Sequence, residues 1–251
     1  MSFIRTVKNA VSNALLLIYT VWALLVFTLL CIGIFMPCAL LLPRVTQRRQ
    51  AGNLTLRIAL RLAAIKLTAK GLEHLPSGGC VVVANHSSYL DGPILAAVLP
   101  PQFCLVIKRE ANNTPLVGFF LRRIDHQFVE RHQPRGAARD AQQLIQRLRR
   151  GEEVGVFAEG TFVAQPGILP FKPGAFVGAV RAQVPVVPAA ISGTRHIFPA
   201  GSLLLRPGKI EVTLLPSIHS NHAQLTVREA SKQIAAEARQ AIAEVVKEPL
   251  V

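Results

Sequence analysis

Between Lys8 and Arg44 the chain runs for 35 residues without a charged side chain. The centre of that run reads ALLLIYTVWALLVFTLLCIGIFMPCALLL. About 20 apolar helical residues cross a hydrocarbon core, so the stretch must be helix lying against lipid or against a large apolar surface. A cleaved leader would carry a shorter apolar region with a small-residue cleavage site, and the segment therefore reads as a membrane anchor. Two geometries fit its length. One is a single tilted span. The other turns near Gly33 or Pro37 and stays in one leaflet, since a proline at 37 removes a backbone donor and crowds the preceding turn.

Charge follows the same division. The formal net charge is +14, yet the first acidic residue is Glu73, and nine of the 28 basic residues precede it. The excess therefore sits beside the apolar run, where each Lys or Arg near an anionic surface contributes roughly 1 kcal/mol of attraction. Nucleic acid is not expected as a partner, because aromatic residues are only 6% and the early cations are interleaved with apolar residues. Arg44, Arg48 and Arg49 outnumber Arg5 and Lys8, which favours placing the following domain on the cytoplasmic side of the cell (inner) membrane. Residues 54–70, LTLRIALRLAAIKLTAK, place Leu54, Ile58, Leu62 and Ile65 at helical spacing with Arg57, Arg61 and Lys66 elsewhere. This predicts a basic amphipathic helix, either interfacial or packed on the domain. The anchor and this helix make up residues 1–70, and one domain follows over 71–251.

That domain alternates strand-like and helix-like segments. Strands are expected at 80–84, 103–108, 127–130, 153–158, 184–192 and 209–215. Helices are expected from about 92, over 134–150, over 174–183 and over 225–246. Pro185 and Pro188 argue against a regular central strand at their own positions. The pattern predicts an α/β fold, a mixed sheet flanked by helices. The four cysteines have neither zinc nor redox spacing, and no metal or cofactor is expected.

Four polar clusters fall where strands end, which is where α/β folds place their sites. NHSSYLD brings His86 close to Asp91. Five residues of ideal helix turn by about 500°, leaving the pair roughly 140° apart, so only a strand–loop–helix turn can join them. Joined, they are a general base and its orienting carboxylate. Apart, Asp91 is a helix cap and His86 a loop residue. FVERH contributes Glu130 and Arg131, a phosphate contact or a plain surface pair. FAEGTF contributes Glu159, Gly160 and Thr161, a substrate-binding turn or simply a tight turn. VPVVPAAISGT, with Pro188, walls an apolar channel or forms a core edge strand.

The four in order, N-H-x4-D, F-V-E-R, F-A-E-G-T and V-P-V-V-P, resemble the motifs of the glycerolipid acyltransferase family over roughly residues 70–215. Lys108 in VIKRE is similar to that family's segment between its first two motifs. The resemblance implies a membrane-bound O-acyltransferase. Its donor is acyl-CoA or an acyl carrier protein thioester, and its acceptor is a lysophospholipid, foremost 1-acylglycerol-3-phosphate. It implies His86 as general base and Asp91 as its orienting partner. Lys108, Glu130, Arg131, Glu159, Gly160, Thr161 and Pro188 would then contact substrate. No G-x-S-x-G elbow points to a covalent acyl-enzyme. Two departures stand out: Ala158 replaces the usual proline before the glutamate, and Phe162 replaces an arginine associated with the acceptor phosphate. Phe162 leaves another lysophospholipid or a lyso-aminolipid open as acceptor, and Lys108, Arg109, Lys172 and Arg195 as substitute cations. A non-catalytic lipid-binding membrane protein is the alternative from a different class.

Overall fold

The computed structural model describes residues 2–114, 117–130, 134–219 and 225–251. The apolar run is one long helix: α1 (Ser2–Leu30), a π-helical turn (Cys31–Phe35) and α2 (Met36–Leu41). The chain reverses and returns as α3 (Val45–Leu62). There follow β1 (Ile65–Lys70), β2 (Val81–Ala84), α4 (Asp91–Val98), β3 (Cys104–Lys108), α5 (Val117–Arg123) and β4 (Gln127–Val129). Next come α6 (Pro134–Arg149), β5 (Val154–Phe157), α7 (Gly174–Ala182) and β6 (Val186–Ser192). Last are α8 (Thr194–Ile197), β7 (Gly208–Leu214) and α9 (Val227–Val246).

Seven strands form one mixed sheet in the order β1-β7-β6-β2-β5-β3-β4. Among the ladders between the described strands, the β6–β7 pairing alone is antiparallel, so β1 and β7 run against the other five. The carboxyl ends of β2, β5, β3, β4 and β6 therefore share one edge. On one face α3 and α4 cover a core that includes Val82, Ala84, Ile94, Leu95, Val187 and Ile210, and α1 reaches it through Ala23. On the other face α6, α7 and α9 cover Val81, Val83, Val154 and Val186 with Leu144, Leu148, Phe176 and Ile234. Residues on β2 alternate between the two cores, as period-two side-chain direction requires. The expected α/β class and its flanking helices are what the chain adopts.

Two expectations are corrected. The helix expected over 54–70 ends at Leu62, and residues 65–70 are β1, paired in parallel with β7 from Ile65↔Gly208 to Lys70↔Thr213. The sheet thus begins before residue 71. Ile65 fits a 3.6-residue period with Leu62 and equally a two-residue period with Leu67 and Ala69. The break comes at Ala64, whose φ of 55° ends the helix in the left-handed region. Second, β6 is central despite its prolines. Pro188 pairs with Val83 on the β2 side. On its other side the carbonyl accepts from Leu215 at 2.8 Å, and the β7 ladder starts only at Ala189. The missing N–H therefore falls where the ladder has not begun.

From Ala14 onward α1 is largely apolar, and one stripe of it is packed. Tyr19 donates to the Ala63 carbonyl at 2.6 Å, Thr20 Oγ1 accepts from Leu205 N at 2.9 Å, and Ala23 and Val26 are buried. Val11, Leu15, Ile18, Val21, Trp22 and Leu25 stay exposed. The helical pair is fastened to the sheet by Arg49, a buried side chain on α3. Its guanidinium donates to the carbonyls of Ile124 (2.7 Å), Gln102 (2.9 Å) and Asp125 (2.8 Å). A planar fork serves three carbonyls where an ammonium cannot. Arg49→Ala is expected to destabilise the protein by about 3 kcal/mol, and Arg49→Lys to recover little of it. Thermal unfolding of the detergent-solubilised variants measures both.

Candidate active site

The chain leaves the buried strand β2 at Asn85 and enters α4 at Asp91, and the intervening loop folds around one carboxylate oxygen. Asp91 Oδ2 accepts from Ser87 N (2.6 Å), Ser88 N (2.7 Å) and His86 Nδ1 (2.9 Å). Asp91 is fully buried. It faces back to the loop instead of capping α4 forward, where Pro93 has no N–H to give. A carboxylate cannot donate, so Nδ1 carries a hydrogen; in the neutral tautomer that this selects, Nε2 presents its lone pair. His86 is 15% exposed. Its ring stacks on Phe157 at 4.3 Å and meets Phe162, tilted, at 4.5 Å, so two aromatic rings pack against the imidazole.

The loop is held from outside by residues far along the chain. Asn85 exchanges two hydrogen bonds with the Ile191 backbone, at 3.0 and 2.7 Å, and so continues the β2–β6 pairing with a side chain. Ser87 Oγ meets Thr194 Oγ1 at 3.1 Å, and Ser88 donates to the Phe198 carbonyl at 2.7 Å. Neither Asn85 nor Thr194 was singled out from the sequence. A short polar residue at the end of a buried strand was the available signal for the first; the second had none beyond its place at the strand end.

Glu159 follows β5, one strand away. Its carboxylate accepts from His86 N at 2.6 Å and from Leu169 N at 2.8 Å, tying the two loops together. It is 3% exposed. Burial chiefly pushes its pKa up to about 7; the two N–H donors pull it down, and the Asp91 and Glu248 charges add to the rise. Gly160 has φ of 72°, and a Cβ there would lie 3.0 Å from Lys172 Cε, so the lysine stem lies across the turn. Thr161 is exposed beside it.

The structure therefore brings together His86, Asp91, Glu159, Gly160 and Thr161. Lys108 and Glu130 lie on the same sheet edge, at the ends of β3 and β4. Glu130 is ordered by Asp140, whose Oδ2 accepts its N–H at 2.5 Å, and by Arg109 at 3.5 Å. Arg131 lies outside the described residues. Pro188 is buried inside β6 at the level of Val83, below the edge that carries the others. Of the substitute cations, Arg195 is committed: it pairs with Glu248 at 2.9 Å and donates to the carbonyls of Val163, Ala164 and Gln165. Lys172 has no acidic partner among the described residues.

Comparison with known proteins fits this geometry. A family model described as Acyltransferase matches residues 66–192. The chain belongs to the acyltransferase family. Family members similar to it include a chloroplastic 1-acyl-sn-glycerol-3-phosphate acyltransferase from Brassica napus, 33% identical over 68% of this chain and 50% of that protein. A 1-acyl-sn-glycerol-3-phosphate acyltransferase from Pseudomonas aeruginosa is 30% identical over 63% of this chain and 62% of that protein. The chain thus spans about half the length of the chloroplastic relatives from Brassica napus and Arabidopsis thaliana. Its fold is shared with the crystal structure of the 1-acyl-sn-glycerophosphate (LPA) acyltransferase PlsC from Thermotoga maritima. The TM-score is 0.75 at 24% identity, over 94% of this chain and 97% of that one.

The raised pKa of Glu159 has a measurable sign. Between pH 4.5 and about 7 the folded acyltransferase holds a proton that the unfolded chain has released, so this group makes stability fall as pH rises through that window. Glu159→Gln removes the slope and adds a pH-independent loss of about 1–3 kcal/mol from one backbone donor left unpaired. Thermal melts of the two proteins across the window are expected to converge as pH rises; a constant gap would contradict the raised pKa.

Proposed function

We propose that the protein is a membrane-bound enzyme that transfers a fatty acyl group from a thioester to the free hydroxyl of 1-acylglycerol-3-phosphate, yielding phosphatidic acid. The observation that carries this reading is the His86–Asp91 contact at 2.9 Å, made across a strand-to-helix turn in a member of the acyltransferase family. With Nδ1 donating to Asp91, Nε2 takes the acceptor's hydroxyl proton. The hydroxyl oxygen attacks the thioester carbonyl, the tetrahedral adduct collapses, and the thiolate leaves and recovers a proton from His86. Asp91 holds the ring in the required tautomer and stabilises the imidazolium. Three N–H donors converge on the one oxygen Oδ2 and fix where the carboxylate sits. The names of the relatives, 1-acyl-sn-glycerol-3-phosphate acyltransferases, support the choice of acceptor.

A second acceptor is favoured by one contact. Phe162 stands 4.5 Å from the His86 ring and packs edge-on to Tyr89 at 4.8 Å, so the wall nearest the base is aromatic. A different lysophospholipid, or a lyso-aminolipid, suits that wall. An acyl-transfer assay over a panel of lysolipids decides between them. His86→Ala is expected to lower kcat about 10²–10⁴-fold on the preferred acceptor. Absence of transfer to every lysolipid by the wild type would sink the assignment.

The exposed apolar side of α1 supports membrane attachment. The packing of α1 along α3 and the sheet from Tyr19 onward supports a placement of Leu15, Ile18 and Leu25 in one leaflet, and the excess of Arg44, Arg48 and Arg49 over Arg5 and Lys8 supports a catalytic domain at the cytoplasmic surface of the cell membrane. Lysine at those three positions is expected to release the protein from vesicles in a flotation assay, each charge being expensive at depth. Retention of the triple variant would contradict the one-leaflet placement.

A further inference from the structure

The face of the sheet turned away from α1 and α3 carries a second feature. Between α6 and the edge strand β4 runs a groove of about 430 Å³, lined by Arg109, Arg139, Arg147 and Arg150 with Gln127 and Asp140 among its other walls. That volume is in the range of small-molecule sites. Arg139, Gln143, Gln146 and Arg150 recur at helical spacing, so one face of α6 lines the groove for about 16 Å. The single acid on the wall, Asp140, is already occupied by the Glu130 N–H and by Arg109. Arg147 is paired with Asp125 and Glu152. Arg139 and Arg150 have no acidic partner among the described residues. His126, at the floor, is held neutral, its pKa pushed down to about 3 by burial and by Arg49 and Arg147.

The groove begins at Arg109, next to Lys108 and Glu130, and runs down from the edge that carries His86. From β2 to β4 there are three strand spacings, about 14 Å. An occupant matched to this groove is polyanionic and compact, and one that also reaches His86 carries an arm of that order. α6 packs on the opposite side of the sheet from α1 and α3, so such an occupant approaches from the side away from the apolar helix.

We propose that this arginine groove holds the nucleotide phosphates of a coenzyme A thioester, while the pantetheine arm crosses the sheet edge to bring the acyl carbonyl to His86. This rests on the acyl-transfer reading above and names its donor. A concave wall of arginines at intervals fits a 3′-phosphate and a diphosphate, which guanidinium forks bind bidentately. A folded acidic carrier protein would call for a flatter surface.

The Arg139→Gln/Arg150→Gln variant of the whole chain tests the proposal; both side chains are exposed, one on α6 and one in the turn that follows it. Relative to wild type, the ratio of kcat/KM for palmitoyl-CoA to that for palmitoyl-pantetheine, which lacks the nucleotide, is expected to fall at least about tenfold. Adenosine 3′,5′-bisphosphate, titrated calorimetrically, is expected to bind the wild type and to lose a similar factor in the variant. This second measurement does not depend on turnover, so a failure of the acyl-transfer reading remains distinguishable from a failure of the groove. Equal losses with both thioesters, an unmoved ratio, or no bisphosphate binding by wild type would overturn the proposal. A loss confined to an acyl carrier protein donor, or one seen only in binding to phosphatidylglycerol vesicles, would overturn it in favour of an acidic protein or the membrane.

Discussion

One carboxylate oxygen organises the site. Asp91 Oδ2 gathers the N–H groups of Ser87 and Ser88 and the ring of His86, and in doing so forces the chain to turn between β2 and α4. A buried carboxylate left without donors is costly; here three donors meet Oδ2, and the ring contact fixes which imidazole nitrogen faces it. The same interaction thus shapes the loop, sets the tautomer and directs Nε2 away from Asp91. Glu159 adds a second tie to the same loop by accepting from His86 N. The price of that tie is a buried carboxyl whose pKa rises to about 7.

The sheet separates two environments. One face is covered by α3 and α4, against which the apolar α1 is fastened by Tyr19, Thr20 and the three carbonyl contacts of Arg49. The other is covered by α6, α7 and α9, and α6 presents Arg139 and Arg147 to the groove there. The proposed transfer from a water-soluble thioester to a lipid acceptor would use both. The site lies at the strand ends, where the two sides meet, because five strands run the same way and end together.

How much of this was legible beforehand depends on the range of the interaction. The strands at 81–84, 104–108, 154–157 and 186–192 are short apolar runs bounded by turn residues, and their local pattern is enough. β1 was not legible: Ile65 satisfies both periods, and its partner strand lies more than 140 residues away. The four motifs could be read in order, and the rotation argument required His86 and Asp91 to meet across a turn if they met at all. The bond from Asn85 to Ile191, and that from Ser87 to Thr194, join residues over 100 positions apart, and no local pattern marks them.

The sequence by itself determined the apolar helix, the alternation of strands and helices, the family motifs and the segregation of charge, since each is a property of neighbours along the chain. Tertiary structure decided the rest. It placed a proline-containing strand at the centre of the sheet by letting its missing donor fall ahead of the β7 ladder. It also sorted the cations: Arg195 and Arg49 are consumed by carbonyls, while Lys172, Arg139 and Arg150 face solvent without an acid among the described residues. An arginine's availability depends on which oxygens the fold brings within reach, and that is a fact of three-dimensional proximity alone.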